Sequence, residues 1–487
     1  MPPHYSEQSP LLRDEYHRAD QTTIVRFDKE GDEGNPREWS SRRKTSQVVQ
    51  IFFLALVCPM AASIFAPAID QIAQDFHSSK QIVLLGQSAF MFGLGTGPLF
   101  LAPMSETFGR RPLFVLCLAV FTLLQIPIAL SPNVATFISM RALSGLVGSV
   151  GVANGGGSVF DMFETHQRAM VLGVYLVAPL FGPTLGPLFG GLIVGSLDWR
   201  WIFWFTMVIS GIITTITFLL LHETNATIIL SNRKKELQKQ HPDTHYEVEG
   251  VGDMSIPRKI AQNSTRAVRI LVTQPIVSIM SLYQALIFAS LFSIYAQYQS
   301  IWSSPPWNFD KAQVGLAYLG PAVGFLIVSA VCVAFIDKVY TSLCRRNGED
   351  ENDGQPEYRL PLANIGAVFL PVSLFWFGWT VEKGCDWPVP ILATAFFGAS
   401  QVSVFNPVQT YYIDAYGSSA ASALAAGAFL RSVIGGVVPL FVGTLYESLG
   451  YGVGTSIFGV ISIVLMPAPL LFQRYGRLLR EKFPFHP

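Results

Sequence analysis

Long apolar runs separated by polar breaks dominate the chain. A helix needs about 20 apolar residues to cross the hydrocarbon core of a bilayer. Twelve such runs follow one another, near 47–69, 81–103, 112–131, 134–157, 169–195, 201–221, 271–297, 312–336, 362–381, 389–412, 418–446 and 452–472. The pattern predicts an all-α polytopic membrane protein. One break is much longer than most: residues 222–270, containing RKKELQKQHPDTHYEVEG, divide the runs six and six. The expected organisation is a polar tail over 1–46, a six-helix bundle over 47–221, a central loop over 222–270, a second six-helix bundle over 271–472 and a tail over 473–487.

Composition agrees and excludes other classes. Half of the 487 residues are hydrophobic and only 14% are charged, against about 25% in soluble proteins. Lysine plus arginine and aspartate plus glutamate number 33 each. No basic face is available to displace counterions from phosphates, so nucleic acid is not an expected partner. The five cysteines form no C-x-x-C pair, and all eight histidines lie outside the apolar runs. Neither a metal site, a disulfide framework nor a nucleophile–base spacing follows from them, so no cofactor and no enzymatic activity is expected.

Lysine and arginine are retained on the cytoplasmic side of a membrane. The odd-numbered loops hold only Lys80, Arg200, Lys311 and Lys383, while the tails, the central segment and the even-numbered loops hold the rest. Both termini are therefore expected in the cytoplasm. Glu7-Gln8-Ser9-Pro10-Leu11-Leu12 has the look of an acidic dileucine sorting signal.

Inside the spans the ionisable side chains of the Asp, Glu, Lys, Arg and His types reduce to Arg141 in span 4 and Arg431 in span 11. An arginine at a helix centre costs about 2.5–3.5 kcal/mol on insertion scales, so each needs a water-filled cavity or polar partners. Two readings stand: a structural arginine bonded to backbone carbonyls, or one that handles substrate or protons. Both sit on stripes of small residues, with Gly145, Gly148 and Gly155 after Arg141 and Ser419, Ala423, Gly427 and Gly435 around Arg431. Small faces let backbones approach closely. In span 5, Gly182, Gly186 and Gly190 recur every fourth residue while Pro183 and Pro187 each remove a backbone donor. The carbonyls so freed must be satisfied by a neighbour or by water, and such helices tend to border a cavity.

The segment GLGTGPLFLAPMSETFGRRPLF resembles the signature loop of the major facilitator superfamily, in particular its fungal twelve-span drug:proton antiporter branch. NPREWS, RALSGLVGSVGVANGGGSVFDMF, the span 5 motif, WRWIFW, PEYRLP, LFWFGWT and YIDAYGSSAASALAAGAFLRS resemble the same branch, from about Asn35 to Lys482. The resemblance implies two pseudo-symmetric six-helix bundles around a central site. It implies that Glu106, Gly109, Arg110 and Arg111 form a gating loop that locks the ends of the two halves, with Asp161 as partner. Arg141 matches an arginine implicated in proton coupling, and Gly182, Pro183, Gly186, Pro187 and Gly190 match the antiporter motif. The loop departs from the pattern at Ala102 and Thr107. No span contains a carboxylate, so the proton carrier is sought among Asp70, Asp161, Asp414 and Glu447 near span ends.

In this superfamily a substrate cavity would lie between the halves. Tyr175, Tyr283, Gln284, Tyr318, Gln401, Asn406, Gln409 and Arg431 are the residues expected to line it. Two arginines and no acids would disfavour cationic cargo. The expectation is a proton-coupled exporter of small organic molecules, acting as a monomer in the plasma membrane or the vacuolar membrane. The alternatives are proton-coupled uptake and polyamine export.

Overall fold

The computed structural model describes residues 22–27, 31–242, 244–248, 256–349 and 354–484. The dileucine stretch lies outside them. Among the described residues, twelve helices are long and apolar enough to cross a membrane. Spans 1 to 6 are Ser41–Asp75, Lys80–Phe108, Arg110–Ala129, Val134–Met162, Met170–Ser196 and Arg200–Leu220. Spans 7 to 12 are Pro275–Ser303, Lys311–Asn347, Pro361–Glu382, Pro388–Tyr416, Ala420–Val437 and Pro439–Lys482.

Their ends have local causes. Ser40, Ser79 and Asn133 accept backbone N–H bonds as N-caps of spans 1, 2 and 4, and Asp310 with Gln313 forms a capping box before span 8. Proline occupies the first turn of spans 7, 9 and 10, where its missing donor costs nothing. Gly109, at φ 103°, breaks the chain between spans 2 and 3. The helix that follows Pro439 breaks at Gly450, at φ 77° and ψ 168°, where Glu382 takes the N–H groups of Tyr451 and Gly452.

The central segment is more than a loop. It forms a helix over Ala226–Gln240, a strand over His245–Val248 and a helix over Ile256–Thr273. The strand pairs in parallel with Thr22–Val25 of the amino-terminal segment, and Arg233 Nη1 meets Asp32 Oδ2 at 2.7 Å. The end of the bundle that carries this segment is the base; the other is the far end.

One apolar core is built mostly from spans 1 to 6 and a second from spans 7 to 12. Within the first, span 5 lies tight on span 1. A Cβ on Gly182 would stand 2.5 Å from the Leu56 carbonyl oxygen, and Gly186 and Gly190 repeat the approach at Met60 and Ile64. Among the described residues, two seams between the halves are the most extensive. Span 2 meets span 11, where Ser88 Oγ donates to the Gly436 carbonyl at 2.6 Å. Span 5 meets span 8, where a Cβ on Gly191 would stand 2.7 Å from Gly315 Cα.

Candidate functional site: a cavity between the two halves

Between the halves lies a cavity of about 230 Å³, lined by spans 2, 4 and 5 and the start of span 3 of one half and by spans 10 and 11 of the other. Its wall is mostly apolar, with Pro98, Ala102, Val152, Leu172, Leu176, Pro179, Phe405, Leu424 and Ala428 among the lining residues. Glu106, Arg110 and Asp161 mark its mouth at the base, and Arg431 lies deep.

The two intramembrane arginines have different surroundings. Arg141 is fully buried. Its Nη1 donates to the Ala61 carbonyl at 2.6 Å, Nη2 to Ala62 at 2.9 Å and Nε to Gly86 at 3.4 Å. The guanidinium also faces the rings of Phe65 and Phe90 at 4.6 and 4.5 Å. It joins span 4 to spans 1 and 2 and does not line the cavity. Arg431 lines the cavity and is 8% exposed. Its guanidinium carbon lies 5.1 Å from the Phe405 ring and 5.6 Å from Phe288, and Nη1 has no hydrogen-bond partner. The expectation of a cavity holding two arginines and no acids is thereby corrected: there is one deep arginine, with two carboxylates and Arg110 at the mouth.

The sequence-derived gating residues cluster at the base of the amino-terminal half. Arg110 Nε lies 3.2 Å from Asp161 Oδ2, and Arg110 Nη1 donates to Ser105 Oγ at 2.6 Å. Arg111 Nη2 donates to the Phe218 carbonyl at 3.1 Å, and Glu106 is exposed. Arg110 and Asp161 both belong to one half, so this pair ties span 3 to span 4 and does not bridge the halves in this conformation.

Glu223, just beyond span 6, is a residue the sequence reading missed. Its carboxylate accepts the backbone N–H groups of Arg110, Arg111, Thr224 and Asn225 at 2.9–3.1 Å. It thus satisfies orphan donors at the start of span 3, and a side chain on Gly109 would strike it, with a Cβ 2.5 Å from Oε2.

A matching network sits at the base of the other half. Arg359 reaches Asp337 at 2.6 Å and Asp414 at 2.8 Å, and Arg480 grips Glu357 through two bonds of 2.9 and 2.8 Å. Burial pulls the Arg359 pKa down, but Asp414 and Asp337 outweigh it and hold the group above the usual arginine value. The PEYRLP segment was the available signal for Glu357 and Arg359. At the far end, Asp70 pairs with Lys80 at 2.8 Å, and Glu447 shares a small pocket with both.

Of the other residues expected in the cavity, Tyr175 and Gln409 line it. The Tyr175 hydroxyl donates to the Gly151 carbonyl at 2.8 Å, and Gln409 Nε2 donates to Gln284 Oε1 at 3.2 Å. Tyr283, Gln284, Tyr318, Gln401 and Asn406 are buried outside its lining. Tyr318 donates to the Tyr295 carbonyl at 3.1 Å. Both amide atoms of Gln401 and of Asn406 are buried without a partner.

Twelve spans in two helical halves around a shared cavity define a membrane transporter. The chain belongs to the Major Facilitator Superfamily, whose model matches residues 51–439. It is 34% identical over 462 residues to the MFS-type transporter tndD of Aspergillus flavipes, covering 94% of this chain and 86% of that one. It is 32% identical over 463 residues to the efflux pump radE of Floropilus chiversii, covering 94% and 85%. In fold it is similar to the xylose transporter XylE from E. coli in a partially occluded inward open conformation, with a TM-score of 0.62, 14% identity and coverage of 89% and 98%.

Proposed function

We propose that the chain is a secondary active exporter that moves small organic molecules by proton antiport with alternating access. The observation that carries this reading is an asymmetry: the cavity reaches the base, while Gly191 and Gly315 bring spans 5 and 8 together towards the far end. The lysine and arginine bias assigns the base to the cytoplasm, so cargo would enter from inside the cell and leave when the closure is exchanged. The printed name of the Floropilus relative, an efflux pump, supports the same direction. A monomer in the plasma or vacuolar membrane is part of this proposal, and the cavity's lining within one chain is compatible with it.

Gating falls to Glu106, Gly109, Arg110, Arg111 and Asp161, because closure at the base brings that cluster against the second half. Asp161 is the proposed proton carrier. It lines the mouth, and its protonation would release Arg110. One proton moving down about 100 mV releases about 2.3 kcal/mol. At about 1.4 kcal/mol per decade, that supports a cargo gradient of roughly fortyfold.

The test is flux in proteoliposomes under an imposed pH gradient. Labelled organic cargo should move against the proton flow and stop with a protonophore. Asp161→Asn should transport without responding to the gradient. Movement of cargo in the same direction as protons would establish uptake by symport instead.

A further inference from the structure

Arg141 and Arg431 are both buried in the apolar core of the bundle, and only one is satisfied by the protein. Arg141 gives all three of its guanidinium nitrogens to carbonyl oxygens. Arg431 makes no ion pair among the described residues. Its Nη1 is buried without a partner, and Tyr175, which lines the cavity with it, offers only a phenol. Phenols carry no charge near neutral pH. A buried charge with no counter-charge is strongly unfavourable, and a functional pocket is where such an imbalance is retained.

The surroundings say what would relieve it. Arg431 stands in the wall of the cavity, where Val152, Pro179, Leu424 and Ala428 offer apolar surface and Phe405 a ring face. The acids lie at the mouth, and Asp161 is engaged by Arg110, so the floor of the cavity presents a positive charge to whatever enters. A guanidinium binds a carboxylate or another oxyanion through parallel N–H bonds, which are strong when water is excluded. A simple inorganic anion would meet the guanidinium and leave the apolar wall wet.

We propose that Arg431 is the docking group for the anionic head of an amphipathic organic acid whose apolar body fills the cavity towards the base. This rests on the exporter reading for its biological sense, and its test reads binding so that the two can fail separately.

The full-length protein in nanodiscs is titrated at pH 7.5 with three probes that share one apolar body: 2-naphthylacetate, its methyl ester and 2-naphthylmethylammonium. The acid should bind at least tenfold tighter than the ester, and the amine weakest. Arg431→Gln should remove the advantage of the acid and leave ester affinity within twofold. Arg431→Lys should keep part of it.

Equal affinity for acid and ester, preference for the amine, no binding of any probe up to millimolar concentration, or an Arg431→Gln loss shared equally by acid and ester would each overturn the assignment. So would displacement of the acid by chloride at comparable concentration. If Arg431→Gln does not fold, the ranking of the three probes on the unaltered protein decides alone. Intact acid binding with no pH-driven flux would sink the exporter reading and leave this site standing.

Discussion

The hydroxyl of Ser63 in span 1 donates to the carbonyl oxygen of Pro183 in span 5 across 2.6 Å. That carbonyl would ordinarily bond the N–H four residues on, but the residue there is Pro187, which has none. Span 1 thus supplies the hydrogen bond that span 5 lost at Pro187, and the Pro183 carbonyl stays satisfied in the apolar core.

Ser63→Ala is expected to orphan a buried acceptor and cost about 1–3 kcal/mol, seen as a lower melting temperature in detergent. Pro187→Ala restores a donor within span 5. The Ser63→Ala cost should therefore shrink in the Pro187→Ala background, and equal costs in both backgrounds would show that the hydroxyl does not replace the missing donor.

Arg141 makes a different prediction from Arg431 although both are buried arginines. A lysine at 141 has one ammonium and no planar fork, so it cannot hold the carbonyls of Ala61, Ala62 and Gly86 together as the guanidinium does. Arg141→Lys should lower thermal stability and transport together, with ester and acid probes losing affinity alike. A variant of unchanged stability that transports normally but ignores the pH gradient would instead assign Arg141 directly to coupling.

The contrast between these two arginines marks where sequence reading stops. Helix count, the division at 222–270 and the span 5 glycine rhythm follow from apolar run length and spacing, which are local properties of the chain. Whether an arginine is saturated depends on carbonyls 79 and 80 residues away, and no periodicity encodes that. Glu223 was hidden for a related reason: it opens a polar segment rich in charge, and its task is set by the backbone of Arg110 and Arg111 across 113 and 112 residues. The parallel pairing of Thr22–Val25 with His245–Val248 was equally invisible, since each strand is four residues long and neither is stable without the other. Tyr318, Gln401 and Asn406 were attractive as polar residues in cavity-side spans, yet a helix face cannot be assigned to the cavity from polarity alone when the second half has its own buried polar groups.

The contact between Gly191 and Gly315 is a seam that side chains would pry open. A Cβ on Gly191 would meet backbone at 2.7 Å, the Cα of Gly315, and a backbone atom cannot swing aside as a side chain can. Gly191→Val should hold spans 5 and 8 apart and bias the protein towards opening at the far end. A cysteine placed at Glu447, beside the small far-end pocket, should then react faster with an impermeant maleimide applied from that side, while transport falls. Unchanged labelling with full transport would mean the seam need not close.

His222 makes stability sensitive to acid at the base of the amino-terminal half. His222 is exposed, and partial desolvation first, with Arg43 second, holds its imidazole below the ordinary value of 6.5. Gln47 approaches Nδ1 with its Nε2 at 3.4 Å and accepts the His222 backbone N–H at 2.9 Å, an arrangement that suits a neutral ring. Because the unfolded chain takes up a proton more readily than the folded one, stability rises with pH across this window. The contribution is fully present above pH 6.5 and is lost as pH falls from there through the lower folded value. Melting temperature should therefore drop as pH falls below 6.5, and His222→Gln should flatten that part of the slope while leaving the pH 7.5 value nearly unchanged. An identical slope in the variant would place the acid sensitivity elsewhere.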